Sequence, residues 1–188
     1  PSLLAASGLG RYLLKRGLRN RVGLIVESAE PRQVHHFAML IACGVDAICP
    51  YMTIEIIASE LKRHSNPIQL NLQQAVRNYI DAVNKGLLKI FSKMGICTIR
   101  SFRSTLSCEA VGLERRFIEE YFGPIPTRIG GLDFEDIARE TLIRHHDAYA
   151  EHRGMLPVLP YGGDYRNRRD GQRHLWSAEA ISLLQQAV

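Results

Sequence analysis

One long amphipathic stretch constrains the fold of this chain more than any other part of the sequence. From position 76 to position 94, apolar side chains recur at steps of three and four, which places them on one face of an α-helix. Gly95 follows this pattern, and glycine tolerates the left-handed conformation that ends many helices. The spacing therefore predicts a helix that ends at Met94. Its apolar face comprises Val76, Tyr79, Ile80, Val83, Leu87, Phe91 and Met94.

The first 66 residues alternate helical patterns with short apolar runs. After a leucine-rich helical pattern, Val22–Val26 has the length and β-branching of a strand buried on both faces, and Val45–Cys49 is a second short run. Helical patterns follow these runs at residues 31–44 and 51–64. Such an order is a βαβ unit, which builds a parallel sheet with a right-handed crossover. One unit cannot bury a sheet alone, so we expect residues 1–66 to be the C-terminal part of a larger Rossmann-like domain, cut from a longer chain.

The sequence pattern of residues 67–155 predicts a mostly helical connector. Beyond the long helix, residues 96–102 are β-branched or aromatic with polar residues between them, which indicates a short extended segment or strand. A short helix is predicted around Cys108–Val111, and a longer one over residues 132–150. The side chains of the longer helix that are expected to point inward are Phe134, Ile137, Ala138, Leu142 and Ile143.

The last segment, residues 156–188, is loop-like and aromatic up to a final helix that Ser177 is predicted to cap. It contains the clearest basic cluster of the chain, in which acidic residues interrupt the arginines. That interruption favours internal ion pairs over nucleic-acid binding, and the net charge of +5 permits an acidic partner without requiring one. We therefore predict no nucleic-acid partner. The cluster consists of Arg166, Arg168, Arg169 and Arg173, with Asp170 between them and Asp164 just before them.

The cysteines and the hydropathy pattern indicate the cellular setting. Cys43, Cys49, Cys97 and Cys108 form no CxxC pair and have no histidine at ligand spacing, so we interpret them as buried or incidental thiols in a reducing cytoplasm. No run of about 18 apolar residues is present, and the N-terminus lacks the order of a signal peptide. The sequence therefore predicts neither a metal site nor a membrane partner.

Two groups of histidines are candidate functional residues. His35 and His36 are adjacent near the start of a helix, so one is expected to face the sheet and one to face away. His145 and His146 diverge in the same manner, although His152 is close by. A packed histidine, or one that interacts with the helix dipole, is favoured over a catalytic or metal-binding role at both places.

The carboxyl ends of the two predicted strands are a further candidate site. Ligands of open parallel sheets bind beyond these ends, which singles out Glu27, Ser28, Cys49 and Tyr51. A second interpretation is that Glu27 simply pairs with Arg32 across the turn between strand and helix. Neither interpretation assigns a catalytic residue.

The stretch Asn84–Ile96, which reads NKGLLKIFSKMGI, resembles a signature of the glutamate synthase large chain that runs close to NKGLLKxMSKMGIST. The resemblance extends over nearly the whole chain. Residues 42–51 are similar to the family pattern GYGADAVNPY, with Cys49 in place of asparagine, and Glu109–Leu113 matches the end of FEAVGL. The final segment is similar to the lead-in to the flavin-binding barrel of that family.

This resemblance implies what the parent protein does. A glutamate synthase forms two molecules of L-glutamate from L-glutamine and 2-oxoglutarate, with reduced FMN as hydride donor and a three-iron cluster nearby. Electrons come from a small subunit or from ferredoxin. The resemblance implies that residues 1–66 end the central domain and that residues 156–188 lead into a TIM-type FMN barrel. It assigns no catalytic, FMN-binding or metal-binding residue to this chain, so the isolated segment is expected to be inactive.

A structural role follows from the resemblance, and one alternative stays open beside it. The segment would hold the central domain against the barrel so that the path of ammonia is closed to water. Ser92, Lys93, Met94 and Gly95 are the candidates for the contact between domains. The alternative is a stand-alone, non-catalytic Rossmann-like module that binds a partner or a nucleotide.

Overall fold

The computed structural model describes residues 1–63, 70–103, 105, 107–150, 167–168, 171 and 173–187. The chain forms two compact units, Pro1–Glu140 and Thr141–Val188. Its described elements are eight α-helices, a single 3-10 turn and two pairs of short parallel strands. The protein is therefore mixed α/β. Several predicted features fall outside the described residues: His152, and Arg166 and Arg169 with their acidic neighbours.

The first unit begins with the predicted alternation of helix and strand. Helix α1 (Ser2–Lys15) and the turn Arg19–Arg21 precede strand β1 (Ile25–Glu27), and helix α2 (Val34–Ala42) connects it to strand β2 (Ala47–Cys49). The strands pair in parallel, with Val26 opposite Ile48. Val26 and Ile48 pack against the buried side chains of Ala6, Leu40 and Val45.

The expectation that the first strand is buried on both faces is wrong for this chain. The side chain of Ile25 is 74% exposed, because the pair of strands is covered on the face of Val26 and Ile48 while Ile25 alternates to the other face. Val22, which was included in the strand, lies before it and is also exposed.

Helix α3 (Tyr51–Arg63) and the long helix α4 (Leu72–Lys93) complete the first layer. The side chain of Asn71 caps α4 by accepting a 2.8 Å hydrogen bond from the N–H of Gln74. Three residues one turn apart, Val83, Leu87 and Phe91, are buried against α2. The apolar face is narrower than its sequence pattern predicts, because Ile80 and Met94 are 50% and 40% exposed.

The segment after α4, for which the sequence predicts a short strand or extended segment through Phe102, is extended at Thr98 and helical after it. Helix α5 (Ile99–Phe102) is a single turn, and Thr98 caps it by accepting a hydrogen bond from the N–H of Ser101 at 3.2 Å. Phe102 is buried, with its ring centroid 4.6 Å from that of Phe91. The contact between the two rings and the cap outweigh the β propensity of Thr98 and Ile99.

A second pair of parallel strands replaces the short helix that was predicted around Cys108–Val111. Strand β3 (Ala110–Leu113), helix α6 (Arg115–Tyr121) and strand β4 (Thr127–Leu132) form a small strand–helix–strand unit over a core of Phe117, Ile118 and Ile125. Its register is irregular, and a Cβ on Gly131 would lie 2.4 Å from the carbonyl oxygen of Gly112. Glycines weaken the strand signal in the sequence, so this pair was missed.

Helix α7 (Phe134–Tyr149) begins where Asp133 and Asp136 cap each other, the N–H of Asp136 donating to Asp133 at 2.9 Å. No residue of α7 is fully buried, and the prediction that its apolar side chains point inward is wrong for Leu142 and Ile143, which are 68% and 54% exposed. Ile137 packs against the core under α6, and the ring of Phe134 stacks on Tyr121.

The second unit ends in helix α8 (Ala178–Ala187), as the sequence predicts. Ser177 is its cap, since the hydroxyl of Ser177 accepts a hydrogen bond from the N–H of Ala180 at 3.1 Å. Its apolar residues Ile181, Leu183 and Leu184 are all exposed.

Candidate functional site

The last residues of α4 and the turn after it contain the four residues that are predicted to contact another domain. Met94 caps the helix, and Gly95 has a φ of +68°, which is the left-handed conformation expected from its position. The N–H of Gly95 donates to the carbonyl of Ser92 at 3.2 Å, and the N–H of Ile96 donates to Phe91 at 2.9 Å. These two bonds satisfy carbonyls that the end of the helix would otherwise leave unpaired.

Ser92, Lys93, Met94 and Gly95 are all exposed at this turn. The structure brings them together as one exposed corner at the end of a rigid helix, next to the buried ring of Phe91. A thioether and an ammonium group at such a corner can provide an apolar contact and a charged contact to a facing surface. The corner holds no titratable pair, so its geometry suits contact rather than chemistry.

An apolar cavity of about 470 Å³ lies where α2, α3 and α4 meet the side of β2. Ile41, Ile48 and Leu87 contribute to its walls, and Asp46, Cys49 and Asn84 are the polar residues among its lining. Of the four strand-end residues that were singled out, only Cys49 lies there. The hydroxyl of Ser28 instead accepts a hydrogen bond from the N–H of Glu30 at 3.2 Å. Among the described residues, no ion pair joins Glu27 to Arg32.

A charged network that the sequence did not reveal fixes the start of β2. The carboxylate of Asp46 accepts a 2.8 Å hydrogen bond from the N–H of Leu24 and pairs with the guanidinium groups of Arg19 and Arg103. Burial by itself raises the pKa of Asp46, but the hydrogen bond from Leu24 and the two guanidinium groups outweigh it, so this pKa lies below its ordinary value. No local pattern signals the network, because Arg103 is distant from Asp46 in sequence.

Comparison with known proteins decides the family. The family model of the glutamate synthase central domain matches residues 1–114. This chain belongs to the glutamate synthase family. The match includes the α4 turn, the apolar cavity and the Asp46 network.

Whole-chain comparisons give the same family. The chain is 38% identical over 187 residues to the large chain of the NADPH-dependent glutamate synthase of Bacillus subtilis, which covers 100% of this chain and 12% of that protein. It is 34% identical over 188 residues to the NADH-dependent glutamate synthase of Schizosaccharomyces pombe, covering 100% of this chain and 9% of that protein. The ferredoxin-dependent glutamate synthase 2 of a Synechocystis species is 34% identical over 196 residues, again with 100% and 12% covered. This glutamate synthase chain thus spans about an eighth or less of its curated relatives.

Two histidines of this glutamate synthase chain, His36 and His145, contact residues close to them in the sequence. His35 and His36 are both exposed, so the expectation that one faces the sheet is wrong. Nδ1 of His36 accepts hydrogen bonds from the N–H groups of Arg32 and Gln33 at 3.2 and 3.4 Å, which places this ring over the first turn of α2. The ring of His145 lies 4.6 Å from that of Tyr149.

The four cysteines are free thiols. Cys49 and Cys97 are exposed, contrary to a buried role, whereas Cys43 and Cys108 are partly buried. Burial, and to a lesser extent the neighbouring Cys108, raise the pKa of Cys43 to about 11. No group of three or more histidine, cysteine or acidic side chains in the described part of the chain could hold a metal ion.

Of the helices that the structure describes, none has the length and apolar content needed to cross a bilayer.

Proposed function

We propose that this chain is a structural segment of a glutamate synthase large chain that forms L-glutamate from L-glutamine and 2-oxoglutarate. The observation that carries the proposal is the match of residues 1–114 to the central domain of the family, with similarity to glutamate synthases along the whole chain. The parent enzyme is an oxidoreductase of the cytoplasm. FMN supplies hydride chemistry in the parent, and a three-iron cluster and a small subunit or ferredoxin supply its electrons.

Three parts follow within this proposal. Residues 1–66 end a Rossmann-like domain, residues 67–155 form the connector, and residues 156–188 lead into a barrel that binds FMN. The pair β1–β2 supports the first part, because parallel strands normally have both faces covered and Ile25 is exposed here. A layer of helices from the rest of the parent domain would cover that side chain.

The contribution of the segment is mechanical. The exposed corner Ser92–Gly95 at the end of α4 contacts the neighbouring domain and keeps the path of ammonia closed to water. Precise packing matters in this task, since a displacement of about 1 Å in a positioned reaction can cost on the order of a hundredfold in rate. The long helix suits it, because Val83, Leu87 and Phe91 fix α4 rigidly to α2.

The experiment replaces Lys93 by alanine in the whole glutamate synthase polypeptide and measures glutamate formed per glutamine hydrolysed. Lys93→Ala is expected to lower this ratio, because a loosened contact lets ammonia escape. Lys85→Ala is the matched control, since Lys85 is an exposed lysine two turns earlier on the same side of α4.

Equal ratios in wild type and both variants would exclude the corner as a domain contact. A whole protein that forms no glutamate from glutamine and 2-oxoglutarate would refute the parent activity. In that case the alternative, a non-catalytic Rossmann-like module, gains support if the 188-residue chain binds a nucleotide.

A further inference from the structure

A basic pocket of about 320 Å³ lies in the first unit, apart from the α4 corner. Arg11, Arg19 and Asn20 line it on one side, and Leu14 and Phe122 give it apolar walls. Ser7 also borders it, and the hydroxyl of Ser7 donates a 2.8 Å hydrogen bond to the carbonyl of Tyr121, which ties α1 to the end of α6. The walls of the pocket therefore come from elements that are fixed to one another.

Positive charge exceeds negative charge around this pocket. Residues 1–26 contain no acidic side chain. They contain five basic ones, namely Arg11, Lys15, Arg16, Arg19 and Arg21. Arg19 and Arg103 share the single carboxylate of Asp46. In the described part of the chain, no carboxylate forms an ion pair with Arg11. Of the two guanidinium groups in the pocket, only that of Arg19 has an ion-pair partner in the described part of the chain, and it shares this carboxylate with Arg103.

The guanidinium group of Arg11 is held in place without a strong partner. Its Nη1 lies against Gly123, where an added Cβ would be only 2.8 Å away. Its Nη2 donates to the carbonyl of Glu119 at 3.5 Å, a long distance for a hydrogen bond. Its Nε is buried and has no acceptor among the described residues. The Nη groups of Arg11, which make only this one long hydrogen bond among the described residues, keep donors for an acceptor that enters the pocket.

We propose that this pocket binds a carboxylate, with Arg11 as its principal ligand. The planar guanidinium group matches a carboxylate by two parallel hydrogen bonds, Asn20 offers a further donor, and Leu14 and Phe122 accommodate the methylene groups attached to it. The carboxylate comes from a free small dicarboxylic acid or from an acidic side chain elsewhere in the parent polypeptide. The site goes beyond the proposed function, because neither the activity of the parent nor the α4 corner requires it.

The test uses phenylglyoxal, which modifies accessible arginines, with mass spectrometry to read the modification of Arg11. The 188-residue chain is treated with and without succinate, with inorganic phosphate as the comparison anion. Arg16 is the internal control, because it is exposed and stacks over the ring of Tyr12 outside the pocket lining. Succinate is expected to slow the modification of Arg11 selectively.

The whole polypeptide, treated without added ligand, distinguishes the two sources. Protection of Arg11 there, without protection by succinate in the 188-residue chain, assigns the site to an acidic side chain of the parent. Protection by succinate alone assigns it to a free dicarboxylate. If neither protects Arg11, or if phosphate protects it as well as succinate does, the proposal is wrong.

Variants give a second measurement where succinate binds. Arg11→Gln is expected to weaken succinate binding, followed by the NMR signal of ¹³C-labelled succinate, by about tenfold or more. Arg16→Gln is expected to leave it unchanged. Circular dichroism checks that Arg11→Gln folds, and equal weakening by both variants would contradict a specific site.

Discussion

Asp46 is the residue on which several distant parts of the first unit depend. It links the N–H of Leu24 before β1, Arg19 of the 3-10 turn and Arg103 after α5, so one carboxylate fixes three segments to the start of β2. We predict that Asp46→Asn lowers the free energy of unfolding by about 1–2 kcal/mol at pH 7, since an amide leaves both guanidinium groups without a counter-charge. Urea unfolding of the wild type and the variant measures this loss.

The pH dependence of that loss has a definite sign. The pKa of Asp46 is lowered in the folded state, so its stabilisation is complete above the unfolded-state pKa of about 3.9 and disappears as the pH falls through the lower folded-state pKa. The difference between wild type and variant should therefore shrink below about pH 4. Asp81→Asn is the control, because Asp81 is exposed on α4. A difference that stays constant down to pH 2 would contradict this account.

At the scale of elements, the close approach of α2 and α4 depends on Gly86. A Cβ at this position would lie 2.4 Å from Cγ2 and 3.1 Å from Cβ of Val34, so the two helices leave no room for a methyl group. Alanine favours a helix over glycine by about 1 kcal/mol, yet overpacking typically costs about 1–3 kcal/mol. We predict that Gly86→Ala destabilises the protein, measured as a lower melting temperature.

The matched control for Gly86→Ala removes the obstacle instead of adding to it. The double variant Val34→Ala/Gly86→Ala lacks the two Cγ atoms that the new methyl group would meet first, and only the 3.1 Å approach to Cβ of residue 34 remains. The destabilisation by Gly86→Ala should therefore be smaller than in the wild-type background. Such non-additivity is expected only of residues in contact. Equal effects of Gly86→Ala in both backgrounds would show that the contact between α2 and α4 is not the cause.

At the scale of the whole molecule, the exposed apolar side chains of α7 need a covering surface. Leu142 and Ile143 are among the most exposed leucines and isoleucines of the chain, and the curated relatives are at least eight times longer than the segment. We predict that Leu142→Gln destabilises the whole polypeptide by about 2 kcal/mol, the value of a buried leucine side chain, and leaves the 188-residue chain nearly unchanged. Thermal unfolding of both forms provides the measurement.

The control for that prediction is His146→Gln, a polar substitution of an exposed residue on the same helix. It should affect neither form. Hydrogen–deuterium exchange gives an independent measurement, since residues 134–149 should exchange more slowly in the whole polypeptide. Identical exchange in both forms would mean that α7 is uncovered in the parent as well.

The sequence by itself determined the elements whose signals are local. The structure confirms the helical period of α4, the glycine that ends it, the alternation around β1 and β2 and the cap at Ser177. The sequence signal of each lies within a few neighbouring residues. The family was accessible in the same manner, because the motif around Asn84–Ile96 is contiguous.

Only the tertiary structure decided the features that depend on distant residues. The segment that contains Phe102 forms a helical turn, although its β-branched residues favour a strand, because the ring of Phe102 packs on Phe91. Ala110–Leu113 forms a strand because it pairs with Thr127–Leu132. Asp46 forms an ion pair with Arg103, and Arg11 lies against Gly123, although more than 50 residues separate the members of each pair in the chain. Local propensity indicates which conformation a short segment favours by itself. Packing and ion pairing depend on residues that are distant in the sequence, and no local pattern identifies those residues.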